Sequence, residues 1–157
     1  MRGLALLAGL LLSALPVLAT NWNDIETVEH RVEQIGARVV WLRLNQGTCA
    51  RRGILGSYRY SERTVYMCQQ RIREYDNNDL LSTLKHEGWH AVQHLCNGNR
   101  AVLSDDKIRA LISEEDKSNL RDLYGSSQHR MEAEARALEH IPTYAYITGV
   151  NHYCDRG

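Results

Sequence analysis

The sequence predicts an α+β fold: an N-terminal helix, a small antiparallel sheet, a long helix carrying H-E-x-x-H, short helices, and a late glutamate-bearing helix. Three observations lead there. Apolar residues recur at three- and four-residue steps from Ile25 to Leu42. β-Branched and aromatic residues alternate between Gly53 and Gln69. The stretch Asp79 to Cys96 combines a helical apolar stripe with His86-Glu87-Gly88-Trp89-His90.

Residues 1–19 stand apart from this pattern. Arg2 supplies a short positive region, Leu4 to Leu15 form an apolar run, and Pro16 precedes Val17-Leu18-Ala19 before Thr20. The run is too short to span a bilayer comfortably, so it reads as a cleaved signal peptide. The mature protein is expected to be residues 20–157, a single domain, secreted or periplasmic, with no membrane span and working as a monomer.

Residues 24–44 read as one amphipathic helix capped by Asn23 or Asp24, with Ile25, Val28, Val32, Ile35, Val39 and Leu42 on its buried stripe. After a connection at 45–52, Gly53 to Tyr60 and Arg63 to Gln69 read as a hairpin, with room for a further short strand near Cys49. Asp76 to Asp79 is a polar turn into the motif helix, which stops at Cys96-Asn97-Gly98-Asn99. Leu103 to Ile112 and Glu114 to Tyr124 suggest short helices with Ser104 and Ser113 as caps. A last helix is expected from Gln128 to Glu139, closed by Pro142, with Thr143 to Gly157 as a tail.

Composition narrows the function. With 43% hydrophobic residues the chain can build a core. Without residues 1–19 it carries 18 basic and 19 acidic side chains, a balance that argues against nucleic acid or an anionic membrane as partner. Cys49, Cys68, Cys96 and Cys154 are an even set in an exported chain, which favours two disulfides. Three connectivities are open. Cys49 with Cys68, across the hairpin, leaves Cys96 to tie down Cys154.

The chemistry concentrates in the motif helix. Side chains four apart on a helix lie one above the other, so His86 and His90 can address one metal ion. Glu87, rotated about 100°, can reach a water on that ion and act as general base. A catalytic zinc site takes three protein ligands and leaves a position open. His94 extends the ladder but lies a turn too far along and is expected to line the pocket. A third histidine six residues after His90 is ruled out, because Cys96 stands there and Gln93 replaces the glycine of that pattern. The acids of the last helix, Glu132, Glu134 and Glu139, are the other candidates.

Here the sequence resembles the gluzincin metallopeptidases. The likeness lies in H-E-x-x-H over residues 79–94 and a downstream Glu-Ala step over residues 128–142, followed by Pro142. The resemblance implies a zincin-like fold and Zn²⁺ held by His86, His90 and the glutamate of Glu134-Ala135. Glu132-Ala133 is the competing register, on nearly the opposite helix face. It also implies a peptide or protein substrate. Arg136 departs from the pattern, because relatives place an acid or amide there to orient a ligating histidine. Asp105, Asp106 and Asp122 are the alternatives for that role. The oxyanion-stabilising group stays open among Tyr144, Tyr146, Tyr153, His94, His129, His140 and His152.

Overall fold

The computed structural model describes residues 22–43, 45–69, 77–114, 116–117 and 127–155. The expected signal peptide and most of the segment Glu114 to Tyr124 lie outside them.

Helix α1, Trp22–Gln34, buries Ile25, Val28 and Val32 at the expected spacing. It does not continue to residue 44. Gly36 takes φ +96° and its N–H closes on the Glu33 carbonyl at 3.0 Å. That left-handed turn, open to glycine at no steric cost, ends the helix. The next residues form strand β1, Arg38–Leu42. Val39 and Trp41 share one strand face and both pack against the core, so two-residue alternation overrides the three-four reading.

Strand β2 is Gly56–Arg59 and strand β3 is Thr64–Cys68. A 3₁₀ turn at Tyr60–Glu62 and a left-handed Arg63 join them as the expected hairpin. The sheet is mixed rather than wholly antiparallel. β1 runs parallel to β3, Arg38 opposite Thr64 and Leu42 opposite Cys68, which gives the order β1-β3-β2. β3 is therefore central, and four of its five residues are buried. The segment near Cys49 is a 3₁₀ turn, Gly47–Ala50, and not a strand. The Cys49–Cys68 disulfide pins it to the end of β3.

Helix α2, Asn77–Asn97, carries the motif and packs against α1, the sheet and the C-terminal helices. Its last turn closes when the Asn99 N–H reaches the Gln93 carbonyl at 2.8 Å, with Gly98 and Asn99 at positive φ. Gly88 lies in the motif on the side facing α1. A Cβ there would stand 2.7 Å from Val32 Cγ2 and 2.8 Å from Tyr146 Oη. Only a glycine lets those neighbours seat against the motif helix.

Helix α3 is Asp105–Leu111 and helix α4 is Ser127–Glu139. The stretch expected as a tail is instead helix α5, Thr143–Cys154, begun by the Pro142 carbonyl, which accepts from the N–H groups of Ala145 and Tyr146. Tyr146 is sealed in the core and donates to the Lys85 carbonyl at 3.0 Å. A Cys96–Cys154 disulfide ties α5 to the end of α2. Among the described residues no helix is long and apolar enough to cross a membrane. Two disulfides in a chain of this size are the cysteine usage of an oxidising compartment.

Candidate metal centre

Helices α2 and α4 pack face to face, and the site lies where the motif turn meets the middle of α4. His86 and His90 present their rings edge to face, 4.9 Å between centroids. Glu132 reaches across from α4: its Oε1 is 3.3 Å from His86 Nε2 and its Oε2 is 3.3 Å from His90 Nε2. The potential ligand atoms of these three residues all fall within 4.8 Å of one another. Donors at the corners of a tetrahedron with zinc-like bonds of ~2.05 Å are about 3.3 Å apart. Two imidazoles and one carboxylate this close together could hold a metal ion.

The other imidazole nitrogens are committed to oxygen acceptors. His86 Nδ1 lies 2.9 Å from Glu139 Oε2, and His90 Nδ1 lies 2.8 Å from Gln93 Oε1. Such contacts fix ring orientation and leave Nε2 of each ring for the metal. The acid expected to orient a histidine is therefore Glu139. Asp105 pairs with Arg130 and Asp106 with Arg109, while Asp122 lies outside the described residues. Glu132 and Glu139 are seven apart, two helical turns, and share the face of α4 that meets α2. That spacing is a signal in the sequence that could have singled out both.

Glu134 is not at the centre. Its carboxylate is buried and takes Gln93 Nε2 at 2.7 Å, the Val102 N–H at 2.8 Å and the Leu103 N–H. The third candidate ligand is Glu132, because two residues along a helix turn the side chain about 200°. The Glu-Ala step and the proline after it fit both registers; packing separates them. Glu134 serves the centre indirectly, since the Gln93 it holds is the one that orients His90.

Glu87 sits beside His86, and its Oε2 accepts the Tyr58 N–H from β2 at 2.7 Å. Gly56 makes this approach possible: a Cβ there would be 2.8 Å from Thr83 Cγ2. A cleft of about 590 Å³ runs between β2 and the α2–α4 pair, lined by Gly56, Ser57, His86, Glu87, Arg136 and Glu139 among others. His94 stands off the centre, 2.8 Å from the Tyr58 hydroxyl and edge-on to Tyr60. Of the tyrosines and histidines open for the oxyanion role, Tyr146 is sealed in the core, Tyr153 packs on Trp89, and His140 lines the cleft against Glu139.

His86 and Glu132 each shift the other's protonation. Burial alone would lower the His86 pKa, but hydrogen bonds to Glu132 and Glu139 outweigh it and hold the imidazole up at about 10. Burial would likewise raise Glu132, and the contacts with His86 and His90 instead hold it well below the usual carboxylate range. Tyr60 is pushed up by burial and by the nearby Glu87 and Glu132 carboxylates.

No curated protein and no solved structure matches the chain. Residues 23–154 match the family described as Domain of unknown function (DUF8637), which takes in the elements above from the second residue of α1 onward, and the chain belongs to that family.

Proposed function

We propose that this protein is an exported zinc-dependent peptidase of zincin-like fold, in which His86, His90 and Glu132 hold the metal and Glu87 is the general base. The observation that carries the reading is the convergence of Nε2 of both motif histidines on one carboxylate, with the motif glutamate lining a cleft beside His86. Two imidazoles and one carboxylate are a donor set that suits zinc and leaves a coordination position open. Zinc so held supplies a lowered water pKa and a polarised carbonyl.

The rest falls to the chain. Glu87 takes a proton from the attacking water and returns it to the leaving amine. The Tyr58 N–H fixes its carboxylate against β2, on one wall of the cleft. β2 is an edge strand, and Gly56 and Ser57 open onto the cleft, so an extended peptide can add to the sheet by main-chain hydrogen bonds. The apolar leader and the two disulfides support an exported protein.

The test is a Glu87→Gln protein prepared oxidised and metal-loaded beside the parent. Hydrolysis of an internally quenched peptide library should vanish in the variant while one zinc per chain remains. A parent that purifies without stoichiometric zinc, or takes up none, overturns the reading.

A further inference from the structure

We propose that Arg136 binds the charge that develops on the substrate carbonyl oxygen, opposite Glu87. This rests on the peptidase reading and assigns a residue that the motif leaves open.

Arg136 lies one turn beyond Glu132 on α4, with Nε 3.2 Å from Glu132 Oε1 and Nη1 3.8 Å from Asp116. Its side chain is 42% exposed and lines the same cleft as His86 and Glu87. The guanidinium is thus one contact from a ligand oxygen, on the α4 wall, whereas Glu87 is anchored to the β2 wall. A carbonyl held between the two walls has a base on one side and a cation on the other. A guanidinium stays charged at every working pH and offers a planar fork of N–H donors. Glu132 and Asp116 engage Nε and Nη1 of that fork. A dication on Glu132 would take over the carboxylate's charge and repel the guanidinium, which favours turning its donors toward the cleft.

The step balances. The water oxygen bonds to the carbonyl carbon, its proton goes to Glu87, and the C=O π pair moves onto the carbonyl oxygen, where Arg136 donates. Collapse re-forms the C=O bond and breaks the C–N bond, and the amine leaves with the proton from Glu87. The acid so formed gives its remaining water proton to the amine, and the products are a carboxylate and an ammonium. Fixed donors aimed at a developing oxyanion are worth about 100- to 1,000-fold in kcat.

The experiment uses the full oxidised, zinc-loaded chain as parent, Arg136→Gln and Arg136→Lys. Zinc affinity is measured against a chelator, kcat and KM on a quenched peptide, and the Kd of a phosphinic peptide whose tetrahedral anion mimics the intermediate. Ground-state peptide affinity is read in the Glu87→Gln background. Arg136→Gln should keep its zinc and its peptide affinity, lose about 100- to 1,000-fold in kcat, and lose a similar factor in phosphinate affinity. Arg136→Lys should recover part of both. Unchanged kcat and phosphinate affinity in Arg136→Gln, beside a parent that does turn over, would remove Arg136 and leave the peptidase reading intact. Loss of zinc in Arg136→Gln that accounts for the lost activity would make Arg136 a prop for Glu132 only. A zinc-loaded parent that neither hydrolyses peptide nor binds the phosphinate would overturn both readings.

Discussion

On the cleft face of α4, Glu132 keeps its side chain 35% exposed and meets Nε2 of two imidazoles. On the opposite face, Glu134 is sealed from solvent and meets Gln93 and two backbone N–H groups. Both are carboxylates held by donors. What separates them is what the donors can become. Imidazole nitrogens can lose a proton and share their lone pairs with a metal, while amide N–H groups are donors only. Glu134 is therefore a fixed part of the scaffold, joining α4 to α2 and to the chain entering α3. Glu132 has neighbours that a cation can replace. The same division runs through α2, where Gly88 faces α1 and α5 and Glu87 faces the cleft.

Exchanging the two losses is the strongest way to break this comparison. Glu134→Ala leaves the buried Leu103 N–H and the half-buried Val102 N–H without their acceptor, at about 1–3 kcal/mol for a buried group, so unfolding stability should fall by about 2–4 kcal/mol. Glu132→Ala should remove stoichiometric zinc and leave both N–H groups with their acceptor. Metal analysis with denaturant unfolding on both variants decides it. Zinc retained without Glu132 and lost without Glu134, in folded protein, would return the third ligand to Glu134.

A second cut is made on α2. Gly88→Ala sets a methyl group 2.7 Å from Val32 Cγ2 and 2.8 Å from Tyr146 Oη. Overpacking of this kind costs about 1–3 kcal/mol. The loss should appear in thermal unfolding with zinc affinity nearly unchanged once the protein is folded. A large loss of affinity in a fully folded Gly88→Ala would show that the two faces of α2 are not independent.

Within the cleft face, Glu139→Gln keeps an oxygen for His86 Nδ1 but removes the charge behind it. Zinc affinity should drop about 10- to 100-fold, the usual cost of losing such an orienting partner. Isothermal titration would read it, and an unchanged affinity would exclude Glu139 from the centre.

How far the sequence reveals this division follows from what decides each feature. His86, Glu87 and His90 need only local helix geometry, so five letters suffice to place the two histidines on one face with Glu87 beside them. The hairpin and the α+β class are similarly local. Glu132 against Glu134 is a question of which way α4 faces, and that is set by packing of α4 on α2 and by the backbone at Val102 and Leu103, some thirty residues earlier. The true extent of α1 was hidden because Ile35, Val39 and Leu42 satisfy a helical spacing while Val39 and Trp41 satisfy a strand. Gly36 was the available sign of the break. The parallel pairing of β1 with β3 left no local mark, since it joins residues 26 apart, such as Arg38 and Thr64. The family match carries no description of chemistry, so the site rests on its own geometry.

The finest test of the comparison is pH, because only the cleft face holds groups whose charge can change places with a metal. In the metal-free protein His86 is raised from 6.5 to about 10, so the folded state binds more protons than the unfolded chain across that interval. Its stabilising contribution is complete below pH 6.5 and is lost as pH climbs through about 10. Glu132 is depressed below 4.5, so its contribution is present above that pH and is lost as pH falls through its folded value. The stability difference between the parent and Glu132→Ala should therefore be greatest between about pH 4.5 and 6.5 and shrink on either side. Zinc reverses the upper limb. Binding must expel the His86 proton, so zinc affinity should rise about tenfold per pH unit until the imidazole is neutral on its own. Glu134→Ala, read the same way, should lower stability without reproducing either limb. A pH-independent zinc affinity between 6.5 and 9 would mean that the metal does not replace the proton His86 shares with Glu132.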